Sequence, residues 1–117
     1  MQTLKEKIQH LNKLVLQGKA LDAFETYYDD EVVMQENEGT PTIGKEANRK
    51  REHEFFGGIT EFRGANVLDL AVGDDITMVV WHYDYTHKDW GKRNYRQVSV
   101  QHWKDGKIVK EQFFYGS

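Results

Sequence analysis

The chain has 117 residues, a net charge of −3 and no cysteine, with 38% apolar and 13% aromatic side chains. That length suits a single domain with one core, residues 1–117 throughout, and the lack of thiols excludes disulfides, thiolate zinc sites and a cysteine nucleophile. Acids and bases are interspersed, so no basic stripe argues for nucleic acid. No apolar run approaches the ~20 residues of a membrane span; with a polar, helix-like N-terminal segment, no leader peptide and a cytoplasmic protein are the expectation.

Leu4, Ile8, Leu11 and Val15 recur at helical spacing, Thr3 and Glu6 fit a capping box, and Gly18 is a stop. A second helix is expected over residues 20–28, ended by Asp29-Asp30, with a short strand over 31–35. The stretch 37–42 around Pro41 reads as a loop. A third helix is expected over 45–56, with Ala47, Arg51 and Phe55 on one line and Asn48, Glu52 and Phe56 on the next, stopped by Gly57-Gly58. The period then changes from 3.6 to 2. Strands are expected over 59–72, with Gly64 a bulge, then 76–86, 95–104 and 108–115, with Lys88 and Lys92–Asn94 at a solvated tip. Asp105-Gly106 makes the last hairpin turn. Three helices followed by a four-strand antiparallel meander define an α+β domain.

Alternation sorts the strand residues onto two faces. One holds Trp81, Tyr83, Gln97, Ser99, Gln101, Trp103, Glu111, Phe113 and Tyr115, with Val109 in the same set and Ile108 in the other. Bulky rings with a few convergent polar groups describe a ligand pocket. The plainer face, centred on Val98 and Val100, suits a homodimer interface; the two assignments can be exchanged. His82, Asp84, Arg96 and His102 also share that plainer face. Asp84 and Arg96 suit a cross-strand pair, and the two histidines with Asp84 suit either an interfacial network or a metal site, the network being preferred. No metal or other cofactor is expected. His53 has no second histidine at zinc-protease spacing and reads as a surface group.

The segments LVLQGKALDAFETYYDDEVVMQEN, VGDDITMVVWHYDYTH and, most specifically, DGKIVKEQFFY resemble SnoaL-like (NTF2-like) proteins. The resemblance implies a cone-shaped fold, three N-terminal helices on a strongly curved sheet enclosing a pocket, and dimerisation through the sheet. Its members include small polyketide cyclases, a steroid isomerase and epoxide hydrolases, and the fold alone does not choose among them. Counted onto this chain, the isomerase's tyrosine, base and protonated acid fall on Leu11, Gln35 and Ser99, so that constellation is absent. The same counts put Gln35, Ser99, Trp103 and Tyr115 on the cavity side. An epoxide-hydrolase Asp–Arg–Asp set lacks its third member.

Two functions remain. One is binding of a small, largely apolar or aromatic ligand, with Tyr28, Gln35, Phe56, Trp81, Tyr83, Gln97, Ser99, Gln101, Trp103, Phe113 and Tyr115 as contacts. The other is a cyclase- or isomerase-type enzyme with Glu111, or a histidine, as general base. A strand-edge ion pair is the plain alternative for Glu111, and Glu36 reads as loop charge. A protein-interaction module is a third, weaker option.

Overall fold

The computed structural model describes residues 2–116. Helix α1 (Leu4–Leu16) opens with the expected capping box: Thr3 Oγ1 accepts from Glu6 N at 3.1 Å, and Glu6 Oε1 accepts from Thr3 N at 3.1 Å. Helix α2 (Ala20–Tyr27) follows, then strand β1 (Tyr28–Glu36). The acidic pair therefore lies inside the strand rather than ending the helix. Asp29 Oδ2 accepts from Glu31 N at 2.9 Å, a local Asx turn, and the register of β1 shifts there between Tyr28 and Val33. The expected loop contains a two-residue strand, β2 (Thr42–Ile43), before helix α3 (Lys45–Gly57).

Four long strands complete the chain: β3 (Ile59–Val72), β4 (Ile76–His87), β5 (Gly91–Lys104) and β6 (Lys107–Tyr115). They form the expected antiparallel meander, widened to six strands in the order β2-β1-β6-β5-β4-β3. The β1–β6 pairing is parallel, the other four antiparallel. β4 and β5 run further than their patterns suggested, so Lys92, Arg93 and Asn94 are ladder residues opposite Thr86, Tyr85 and Asp84. Gly64 lies at a register shift of β3, as expected. Asp105 (φ 52°) and Gly106 (φ 80°) both take the left-handed conformation that a tight hairpin turn requires.

The helices pack on the aromatic face of the sheet. Ile8 and Leu11 of α1 and Ala23, Phe24 and Tyr27 of α2 meet Val32, Met34, Val79, Trp81, Trp103 and Ile108. Ile108, fully buried, joins this face because the β5–β6 register slips between His102 and Trp103. Strict alternation had put Val109 there instead, and the extra residue of the bulge reverses the parity. Helix α3 contributes little to the core. Its most deeply buried side chain is Asn48, whose Nδ2 donates to the carbonyls of Val32, Thr42 and Gly44 at 3.2, 3.0 and 2.8 Å. Those bonds hold α3 against β1 and β2, leaving the following turn free to face the hollow of the sheet.

On the other face, Asp84 stands opposite Asn94 and binds Arg63 at 2.7 Å, not Arg96. His82 Nε2 is 2.7 Å from Asn94 Oδ1, and His102 is exposed. Among the described residues no three His, Asp or Glu side chains are grouped to hold a metal ion. No helix there is long and apolar enough to cross a membrane.

Candidate functional site: a two-part cavity

Between the helices and the concave sheet lies a cleft of about 820 Å³. It continues into an inner pocket of about 80 Å³. Val15, Ala20, Glu52, Phe56, Tyr83 and Phe113 line both.

The inner pocket is made by all three helices, β1 and the strands β4, β5 and β6. Tyr28 is its first contribution from β1, brought inward where α2 ends. Ser99 and Gln101 of β5 and Glu111 of β6 face it from neighbouring strands, Gln101 directly opposite Glu111. All three are buried, to 2%, 1% and 3% exposure. The hydrogen bonds of Gln101 and Glu111 belong to one directed chain. Trp103 Nε1 donates to Thr77 Oγ1 at 2.9 Å, Thr77 donates to Gln101 Oε1 at 2.7 Å, and Gln101 Nε2 donates to Glu111 Oε2 at 2.7 Å. The Tyr28 hydroxyl donates to the other oxygen, Glu111 Oε1.

Burial penalises the charged form and lifts the Glu111 carboxyl to about 7, while the bonds from Tyr28 and Gln101 pull it back. Burial, and then the neighbouring Glu111 charge, push the Tyr28 and Tyr83 phenols well above their ordinary value. Glu52, one turn beyond Asn48, is raised to about 8 by burial and the Glu111 charge, with Arg51 opposing. Two carboxyl groups that titrate near neutrality thus face one small space.

The outer cleft has a different character. Phe55 of α3, His87 at the end of β4 and Trp90 in the following turn form a stack, His87 and Trp90 lying 4.0 Å apart between ring centroids. Gly58 is required beneath it, since a Cβ there would lie 2.3 Å from His87 Nε2. Lys88 N donates to Gly58 O at 2.8 Å and ties this turn to the end of α3. Tyr85 and Tyr95 share a hydroxyl contact of 2.8 Å. Glu36 accepts from Arg51 at 2.9 Å and from the Tyr115 hydroxyl at 3.1 Å.

Eight of the expected contacts line the cavity together with Glu111: Tyr28, Phe56, Trp81, Tyr83, Gln97, Ser99, Gln101 and Phe113. Three do not. Gln35 lies off the cavity with its amide donating to Gly39 O at 2.8 Å, because Val32, Met34 and Glu36 take the inward positions of β1. Trp103 lies behind the pocket, edge-on to Tyr27, and acts through its indole N–H. Tyr115 sits beside the cleft, its ring tilted against Tyr95 at 5.5 Å between centroids. Glu36 is a cleft residue rather than loop charge. Glu52 was the largest omission, and its signal was present: Asn48, Glu52 and Phe56 form an i, i+4, i+8 line on a helix whose other positions are mostly charged. His53 is exposed.

The SnoaL-like domain model matches residues 2–115, and the chain belongs to that family. A Mesorhizobium loti structure provisionally named a SnoaL-like polyketide cyclase shares 29% identity and a TM-score of 0.87, over 97% of this chain and all of that one. A Burkholderia xenovorans NTF2-like protein of unknown function shares 20% identity, TM-score 0.75, over 97% and 85% of the two chains. A Xanthomonas campestris protein of unknown function with a cystatin-like fold shares 11% identity, TM-score 0.85, over 99% and 92%. The last two likenesses concern the fold alone. No curated protein sequence matches the chain.

Proposed function

We propose that the chain binds a small, largely apolar or aromatic molecule in the hollow of its curved sheet. The observation that carries this reading is the cleft of about 820 Å³ walled by Phe55, Phe56, Tyr83, Tyr85, Tyr95 and Phe113, a size and lining typical of small-molecule sites. Gln97, Ser99 and Gln101 supply the few buried polar groups that orient a ligand. Ala65 faces the cleft opposite Tyr83, so Ala65→Trp fills it. Calorimetry with a panel of flat aromatic and fatty probes should give saturable one-to-one binding that Ala65→Trp removes. A panel with no binder, or binding indifferent to Ala65→Trp, defeats the proposal.

An enzymatic reading, with Glu111 as general base in a cyclase- or isomerase-type reaction, draws support from one observation. The directed donors hold the Glu111 carboxyl in place while burial brings it to about 7, where a base is effective at neutral pH. The name of the Mesorhizobium relative points the same way. Glu111→Gln should then abolish turnover while affinity persists; unchanged turnover removes Glu111 from the mechanism.

A homodimer through the convex face belongs to the same proposal. Met78 (41% exposed) and Phe114 (40%) flank the partly buried Val80, Val98 and Val100 there. Sedimentation showing only monomer at micromolar concentration counts against it. A cytoplasmic setting is also proposed, supported by a composition without cysteine.

A further inference from the structure

Glu111 is a buried carboxylate supplied with neutral donors and no cation. The direction of its hydrogen bonds is set at the far end of the chain. An indole N–H only donates, so Trp103 makes Thr77 an acceptor, and the Thr77 hydrogen goes to Gln101 Oε1. Gln101 must then turn its NH₂ group toward Glu111. That order of donors serves the ionised carboxylate. Buried carboxylates are ordinarily matched by a cation, yet among the described residues no Lys, Arg or His forms an ion pair with Glu111 or Glu52. The nearest candidate on α3, Arg51, is engaged by Glu36 at 2.9 Å.

The remaining walls also favour positive charge. Tyr28, Phe24, Phe56, Trp81 and Tyr83 surround the inner pocket, and aromatic faces attract cations. The outer cleft adds Asp22, Glu36, Glu54 and Asp89 against Lys19 and Arg51, an acidic lining that concentrates cations from solution. The inner pocket of about 80 Å³ has room for roughly two or three waters, or for one small ammonium group.

We infer that the ligand is a protonated amine, its ammonium group seated in the inner pocket against Glu111 and Glu52 and its apolar body lying outward between Phe56, Tyr83 and Phe113. The inference rests on the cavity being a ligand site and names the class of ligand it takes. It differs from the general-base reading in one measurable respect, since Glu111→Gln should weaken binding itself.

Calorimetry at neutral pH comparing naphthylethylamine with naphthylethanol tests it. The amine should bind about tenfold tighter or more, a difference of about 1.4 kcal/mol. Glu111→Gln should bring the ratio close to one, and Glu52→Gln should narrow it several-fold. Should Glu111→Gln fail to fold, Glu52→Gln decides by the same ratio. Equal affinities in the unsubstituted protein, or a preference that survives substitution, overturn the amine while leaving the ligand site standing. Binding of neither probe counts against both.

Discussion

The inner pocket and the outer cleft are built by different means. The pocket hangs from strands in the middle of the sheet, where Thr77, Gln101 and Glu111 are hydrogen-bonded in series and the direction of that series follows from the Trp103 indole. The cleft is closed by a helix end and a turn, through stacked rings, and Trp90 there is 55% exposed. Rings that slide over one another accept varied shapes, whereas a directed chain of hydrogen bonds accepts one charge pattern. Under the proposed ligand-binding function, the contrast places chemical choice at the blind end and tolerance of shape at the mouth.

Four substitutions test that division. Trp103→Ala should have the largest effect, about 3–5 kcal/mol of stability, because it opens a core cavity and releases Thr77; urea denaturation reads it. Gln101→Leu should lose about 1–3 kcal/mol, since Thr77 and Glu111 both lose a buried partner, and carboxyl-labelled NMR should show Glu111 titrating above about 7. If Gln101→Leu is neutral, the chain is ornamental and the contrast fails.

Glu52→Gln should change stability in a pH-dependent way. The folded carboxyl is raised to about 8 from 4.5, so between those values the folded state holds a proton that the unfolded state has released. Stability therefore falls as pH rises through that window and stays reduced above it. The substitution should raise the melting temperature at pH about 9, by roughly 1–2 kcal/mol equivalent, with the gain gone near pH about 4. A gain independent of pH would assign Glu52 to packing alone. Trp90→Ala should have the smallest effect on stability, about 0.5 kcal/mol or less. It should nonetheless alter which aromatic probes bind, without altering any preference for charge.

Much of this architecture was legible in the chain because period and punctuation agree with it. The heptad-like apolar line of α1, the Asp105-Gly106 turn and the alternation of Trp81, Tyr83 and Gln97, Ser99, Gln101 each have a single reading. Legibility stopped where alternation slips. In residues 31–35 both Val32 and Val33 are apolar, so parity could not be read, and a count from the family resemblance put Gln35 inside where Met34 and Glu36 stand. The bulge that turns Ile108 inward leaves no mark in composition. The role of Trp103 was hidden for another reason: its contribution is a bond to Thr77, a residue that looks like any strand threonine until its partners are known.

The parallel pairing of β1 with β6 also governs when the site exists. Tyr28 and Glu111, which share a hydrogen bond, are 83 residues apart in the chain. During synthesis the first partner waits, with one edge of its strand open, until the last strand inserts between β1 and β5. Contacts so distant in sequence form late and slowly. A ligand of the proposed kind would therefore bind only molecules that have completed their topology, and by mass action it would favour that finished population over every partly assembled one. Ligand supply would act as a quality check on newly made chains, selecting those in which the final strand has found its place.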